Sequence, residues 1–85
     1  MVSTRRPRLV VYHAPGCGLC EPALATVAKV AAELGIEHEV VDVTGMPELE
    51  ALHREWLPVV EIDGVRAFVY FVQRDALLKR LGELV

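Results

Sequence analysis

The first apolar positions of the chain come as an unbroken block. Residues 8–13, RLVVYH, form a short β-branched run of the kind that makes a buried strand. The APG at 14–16 breaks it. From Leu19 the spacing changes to three and four. Ala23, Leu24, Val27, Val30, Ala31 and Leu34 give one apolar helix face, while Lys29 and Glu33 pair four apart on the other side. Pro22 falls in the first turn, where a missing N–H does little harm, and Gly35 supplies the left-handed residue that stops the helix.

Residues 36–43, IEHEVVDV, predict a second strand, more polar than the first and therefore an edge. GMP at 45–47 turns the chain, and Pro47 opens a short helix through His53. PVVEI at 58–62 is a third strand. Asp63-Gly64 is a two-residue hairpin signal that leads into a fourth strand over 65–71 and makes the last two strands antiparallel. Residues 73–84 form a closing helix with Ala76, Leu77, Leu81 and Leu84 inward. The order is β-α-β-α-β-β-α, a four-stranded mixed sheet flanked by helices, whose first crossover should be right-handed.

With 85 residues the chain is expected to be one domain over 8–85, preceded by a flexible N-terminus over 1–7. A net charge of −3 with scattered charges gives no case for nucleic acid or an anionic membrane, and the RRPR at 5–8 reads as a solvated lead-in. No apolar run approaches the ~18 residues that span a bilayer, and the run after the arginines is too short for a signal-peptide core. The expected setting is cytoplasmic, and the expected state a monomer.

Both cysteines fall within PGCGLC, as Cys17 and Cys20. Three readings compete: a redox pair, half of a metal site, or two small core residues. A lone C-x-x-C in so small a chain favours catalysis or metal over structural bridges. Zinc needs four ligands, and only one such pair exists. Cys17 is expected at the start of the first helix, where unpaired N–H groups and the macrodipole favour thiolate. Cys20, three residues on, shares its face and can close a disulfide with little backbone movement. Gly18 permits a substrate chain to approach closely. His13 is expected to be a bystander at a strand end, His38 and His53 surface residues, Asp42 an exposed edge carboxylate rather than a proton relay, and Trp56 and Phe68 core or rim aromatics.

A C-x-x-C between the first strand and first helix, the X-Pro of LPVVEIDG opening the third strand, and the final amphipathic DALLKRL together resemble the glutaredoxin family of the thioredoxin superfamily. The resemblance spans nearly the whole chain and implies a thioredoxin-like, glutaredoxin-type α/β fold. It also implies a dithiol–disulfide oxidoreductase with Cys17 and Cys20 catalytic, a part in electron transport and cell redox homeostasis, and no metal. Its substrates would be protein or small-molecule disulfides, and its partner a reductase or thiol electron donor. Leu57–Pro58 would be a cis bond facing the cysteines, with Gly18, Leu19, Leu57, Pro58 and Val59 meeting the substrate. The alternatives are a redox-silent thioredoxin-fold binding module and a glutathione-dependent glutaredoxin.

Several marks of glutathione use are missing. The family lysine three residues before the first cysteine is Ala14, the threonine before the proline is Leu57, and the aromatic inside the cysteine pair is Leu19. The glycine pair at the end of the fourth strand is replaced within AFVYFVQRD, placed by the pattern near Phe68 and Val69. Weak glutathione binding is therefore expected, with the cysteine pair as the redox group and no other cofactor.

Overall fold

The computed structural model describes residues 7–83, so the expected flexibility of the N-terminus, apart from Pro7, and the inward placing of Leu84 lie outside the described residues. Pro7 is already buried. Four strands and three helices follow in order: β1 (Leu9–His13), α1 (Cys20–Leu34), β2 (His38–Asp42), α2 (Pro47–His53), β3 (Val59–Ile62), β4 (Val65–Val69) and α3 (Arg74–Gly82). A 3-10 turn over Arg54–Trp56 extends α2. The sheet order is β2-β1-β3-β4. β1 runs parallel to β2 and antiparallel to β3, and β3 and β4 form the hairpin. At its turn Asp63 and Gly64 both take positive φ, 54° and 81°, which suits the right-handed twist of the strands. β2 is the expected edge.

β1 is apolar without alternation because both of its faces are covered. Leu9 and Val11 join Val60 and Ile62 in a core closed by Val27, Val30 and Ala31 of α1 and Leu77 and Leu81 of α3. On the other face Val10 and Val59 are buried, and Tyr12 stacks on His53 of α2 with ring centroids 4.2 Å apart. His53 is thus 4% exposed, not a surface residue. Its polar atoms stay satisfied, because Nδ1 lies 3.2 Å from the Arg66 guanidinium.

The two long helices depart from their predicted stripes at the ends. Leu34 is exposed, since the chain turns at Gly35 (φ +67°) and the Ile36 N–H returns to the Ala31 carbonyl at 3.0 Å. Ile36 fills the core in its place. In α3 the inward residues are Leu77, Leu78 and Leu81, and Ala76 is exposed. Glu33 engages the Arg74 guanidinium with both oxygens, tying α1 to α3, rather than Lys29 one turn back. Among the described residues no helix is long and apolar enough to cross a membrane.

Candidate functional site

β1 ends at His13 and α1 begins at Cys20, so both cysteines hang on the short connection between the sheet centre and the longest helix. Gly16 turns the backbone with φ +78°, the Cys17 N–H bonds the Ala14 carbonyl at 3.4 Å, and the Cys20 N–H bonds the Cys17 carbonyl at 3.1 Å. The expected placement of Cys17 at the helix start needs correction. The N-cap is Leu19 and the first helical residue is Cys20, so Cys17 stands in the turn just outside. The cause is local: the Cys17 carbonyl already accepts the Cys20 N–H, which closes a turn before the helix ladder begins.

Cys17 and Cys20 are joined as a disulfide with their Cα atoms 5.3 Å apart, inside the usual span for such a bond. The bond holds the turn against the positive end of α1. The two sulfurs differ in access. Cys20 is 2% exposed and packs under the helix start, whereas Cys17 is half-buried and Gly18 beside it is exposed. No atom lies within 4 Å of where a Gly18 side chain would begin, so the approach is open.

Two depressions abut this connection. One, about 430 Å³, is lined by His13, Ala14, Pro15, Gly16, Cys17, Gly18, Cys20, Glu21 and Leu24. The other, about 190 Å³, runs between Leu19, Pro22 and Ala23 and the β4–α3 connection, where Tyr70, Phe71, Val72 and Gln73 form its wall. A larger hollow of about 790 Å³ lies at the opposite end of β1, around Pro7, Arg8 and Glu39, away from the cysteines.

Leu57–Pro58 is cis. Val59 follows directly and pairs with Tyr12, which places Pro58 at the same end of the sheet as the cysteine turn. Pro58 is buried and its carbonyl accepts the Tyr70 N–H at 3.0 Å. Val59 is fully buried between Tyr12 and Val69, so of Leu57, Pro58 and Val59, the three expected to meet substrate from this side, only half-buried Leu57 keeps surface on its side chain. Leu19 is exposed.

Sequence reasoning carried the fourth strand on through Phe71, two residues too far. The strand stops at Val69 because Tyr70 takes φ +64°, a left-handed conformation unusual for a bulky side chain. Its hydroxyl donates to the Glu55 carbonyl at 2.9 Å, and its ring lies 6.0 Å from that of Trp56. Trp56 in turn carries the Arg66 guanidinium 5.6 Å from its ring centroid. Phe71 is 68% exposed. Phe68 and Val69, where the pattern places the substitution for the family's glycine pair, lie in β4, and the bulky Tyr70 and Phe71 follow them. A tyrosine carries no signal for positive φ, so the pattern alone does not reveal the turn at Tyr70. Asp42 is exposed as expected. Its carboxylate is held below the usual range by the Thr44 N–H, which donates to it at 2.8 Å, with a lesser contribution from His13. Trp56 is a rim residue, and Phe68 packs on the core.

Comparison with known proteins gives a consistent result. Residues 8–82 match the Glutaredoxin-like domain (DUF836) family. An uncharacterized protein of Mycobacterium tuberculosis is 34% identical over 64 residues, which are 69% of this chain and 66% of the relative. The fold is similar to a protein of Nitrosomonas europaea solved by NMR (TM-score 0.75, 26% identity, 95% of this chain and 98% of that one). It is also similar to chloroplastic thioredoxin z (TM-score 0.78, 22% identity, 95% and 80%).

Proposed function

The chain belongs to the glutaredoxin-like domain family, and from that premise we propose that it is a thiol–disulfide oxidoreductase working through the Cys17–Cys20 couple. The observation that carries this reading is the asymmetry of the pair. A half-buried sulfur faces an open groove and is bonded to a partner that is 2% exposed at the head of α1.

In the reduced protein the Cys17 thiolate attacks one sulfur of a substrate disulfide. The substrate S–S bond breaks and its first thiolate leaves. The Cys20 sulfur then attacks Cys17, the mixed disulfide breaks, and the second substrate thiolate leaves. Two electrons have passed to the substrate, two protons end on its thiols, and the protein is left with the Cys17–Cys20 bond. A thiol or reductase partner returns it to the dithiol. Protein or small-molecule disulfides are the proposed substrates. A cytoplasmic monomer that uses neither nucleic acid nor membrane is the proposed setting.

The test is reduction of a small disulfide with the protein present in catalytic amount, together with the reduction potential of the couple. Turnover that disappears in Cys17→Ser is the expected result, with a potential within the roughly −270 to −120 mV spanned by known exchangers. A couple that does not exchange, or one far outside that span, would make the molecule a redox-silent binding module instead.

A further inference from the structure

Resolution of the mixed disulfide needs the Cys20 thiol to lose its proton, and Cys20 is almost completely withdrawn from water. Burial disfavours a thiolate, so solvent alone is a poor acceptor at this sulfur. A side chain that takes the proton has to reach the groove where the cysteines sit. Among the residues lining that groove, two besides the cysteines can ionise, His13 and Glu21.

Glu21 is exposed in the first turn of α1. Its negative charge would oppose the thiolate it was meant to create. An imidazole is the side chain whose ordinary range lies at neutral pH, which suits both accepting and returning a proton there. The His13 backbone is also fixed at the edge of the groove. It is the last residue of β1, its carbonyl accepts the Val43 N–H at 2.9 Å, and its Cα pairs with Asp42 of β2. Side chains alternate along a strand, so His13 shares the face of Leu9 and Val11, which α1 covers. That is the side on which Cys20 and Leu24 lie. Asp42 of β2, the register partner of His13, is the neighbouring carboxylate across the strand pair. The charged and titratable groups around His13 are thus Asp42 from β2, Glu21 from α1 and the two cysteines.

We propose that His13 is the proton acceptor for Cys20 in the resolving step. The inference rests on the oxidoreductase reading above. The imidazole takes the Cys20 proton, the thiolate attacks Sγ of Cys17, the bond from Cys17 to the substrate sulfur breaks, and the departing thiolate receives the proton back from His13. No outside reductant enters this step, since the electrons come from the Cys17–Cys20 dithiol itself.

The two half-reactions can be timed separately by rapid mixing of reduced protein with a small aromatic disulfide whose released thiol absorbs. Cys20→Ser isolates mixed-disulfide formation, and the full dithiol reports resolution. His13→Gln is expected to slow resolution roughly 100-fold near pH 7, the lower end of what a positioned base supplies. The deficit should shrink as pH rises and hydroxide takes over. His13→Gln in the Cys20→Ser background should change the first step less than about 2-fold. Because the groove opens to solvent, added imidazole should restore part of the rate of His13→Ala. Equal resolving rates with and without His13 would overturn the proposal. So would a loss that is the same at every pH and is not rescued by imidazole, since that pattern belongs to packing. A wild-type protein that forms no mixed disulfide at all overturns the oxidoreductase reading and this inference together, whereas normal exchange with unaltered His13 variants removes only the inference.

Discussion

The Tyr70 hydroxyl donates to the Glu55 carbonyl at 2.9 Å while the Tyr70 backbone is held at φ +64°. The contact draws the β4–α3 connection, which walls the cleft beside Leu19, onto the 3-10 turn that precedes Pro58. A non-glycine residue in this region loses about 1–2 kcal/mol. The ring on Trp56 and the hydrogen bond are what offset it.

An ordering of variants follows. Tyr70→Phe should lose about 0.5–1.5 kcal/mol, the usual net value of one hydrogen bond. Tyr70→Ala keeps the backbone cost and loses every compensating contact, so it should be the least stable. Tyr70→Gly should lie above Tyr70→Ala by about 1 kcal/mol, because glycine takes positive φ freely. Urea unfolding of the three variants checks the order, and an alanine variant more stable than glycine would show that the backbone carries no strain.

Limiting iodoacetamide should label Cys17 before Cys20 in the reduced protein. Half-buried Cys17 lies on the groove, while Cys20 is 2% exposed. Peptide mapping across pH reads the preference. For the same reason Cys20→Ser should trap a mixed disulfide with substrate, and Cys17→Ser should not.

Glutathione should be a poor electron donor. Its carboxylates need cations or free N–H groups, and glycine would let its backbone approach closely. Arg66 already binds the Leu52 carbonyl and His53 and lies over Trp56, and Arg74 is bound by Glu33. Ala14 offers no charge, and the bulky Tyr70 and Phe71 follow the end of β4. Glutathione-coupled and flavoenzyme-coupled reduction of one small disulfide should be compared directly. The flavoenzyme route is expected to be faster, and saturation by millimolar glutathione at a matching rate would contradict this.

His53 sets a pH dependence of stability. Burial pushes its imidazole below the ordinary range, Glu61 pulls it back and Arg66 pushes it down further. Lowered in the fold, it gives stability that is full above the unfolded value near 6.5 and declines as pH falls toward the folded one. Unfolding midpoints should therefore drop as pH falls below about 6.5 in the wild type. The slope should flatten in His53→Gln, which cannot charge. An unchanged slope would place the acid sensitivity elsewhere.

Gly35→Ala should cost about 1 kcal/mol, because Gly35 sits at φ +67° with open space around it, so backbone alone is at stake. Gly18→Ala, also in open space but without positive φ, should be nearly neutral in stability. Thermal unfolding of the pair separates backbone cost from crowding.

Features set by neighbouring residues were legible before the structure. The Asp63-Gly64 hairpin, the stop at Gly35 and the short helix opened by Pro47 all depend on local backbone chemistry, and all three stand. The succession of elements followed from them, whereas the antiparallel pairing of β1 with β3 comes from the structure. Features set by packing were not legible. A histidine on a short polar helix reads as surface, and the ring of Tyr12, reached through the sheet, covers His53. Leu78 in place of Ala76 depends on how α3 is rotated against the core, which its own stripe does not settle. At the site, the cysteine pair was plain from spacing. The groove shared by His13 and Cys20, and the wall at Tyr70, exist only because β1, α1 and the end of β4 converge.

The sheet order puts the earliest strand in the middle. β1 meets β2 after one helix, but its other edge waits for β3, where Leu9 faces Ile62. A ribosome adding ~5–20 residues per second needs roughly 3–10 s to travel between those two partners. Through that interval the nascent chain carries a short but apolar strand with an open flank, the configuration that invites pairing with a stranger. A fragment ending before residue 59 would keep that flank open permanently, so the molecule is divisible in sequence but not in assembly.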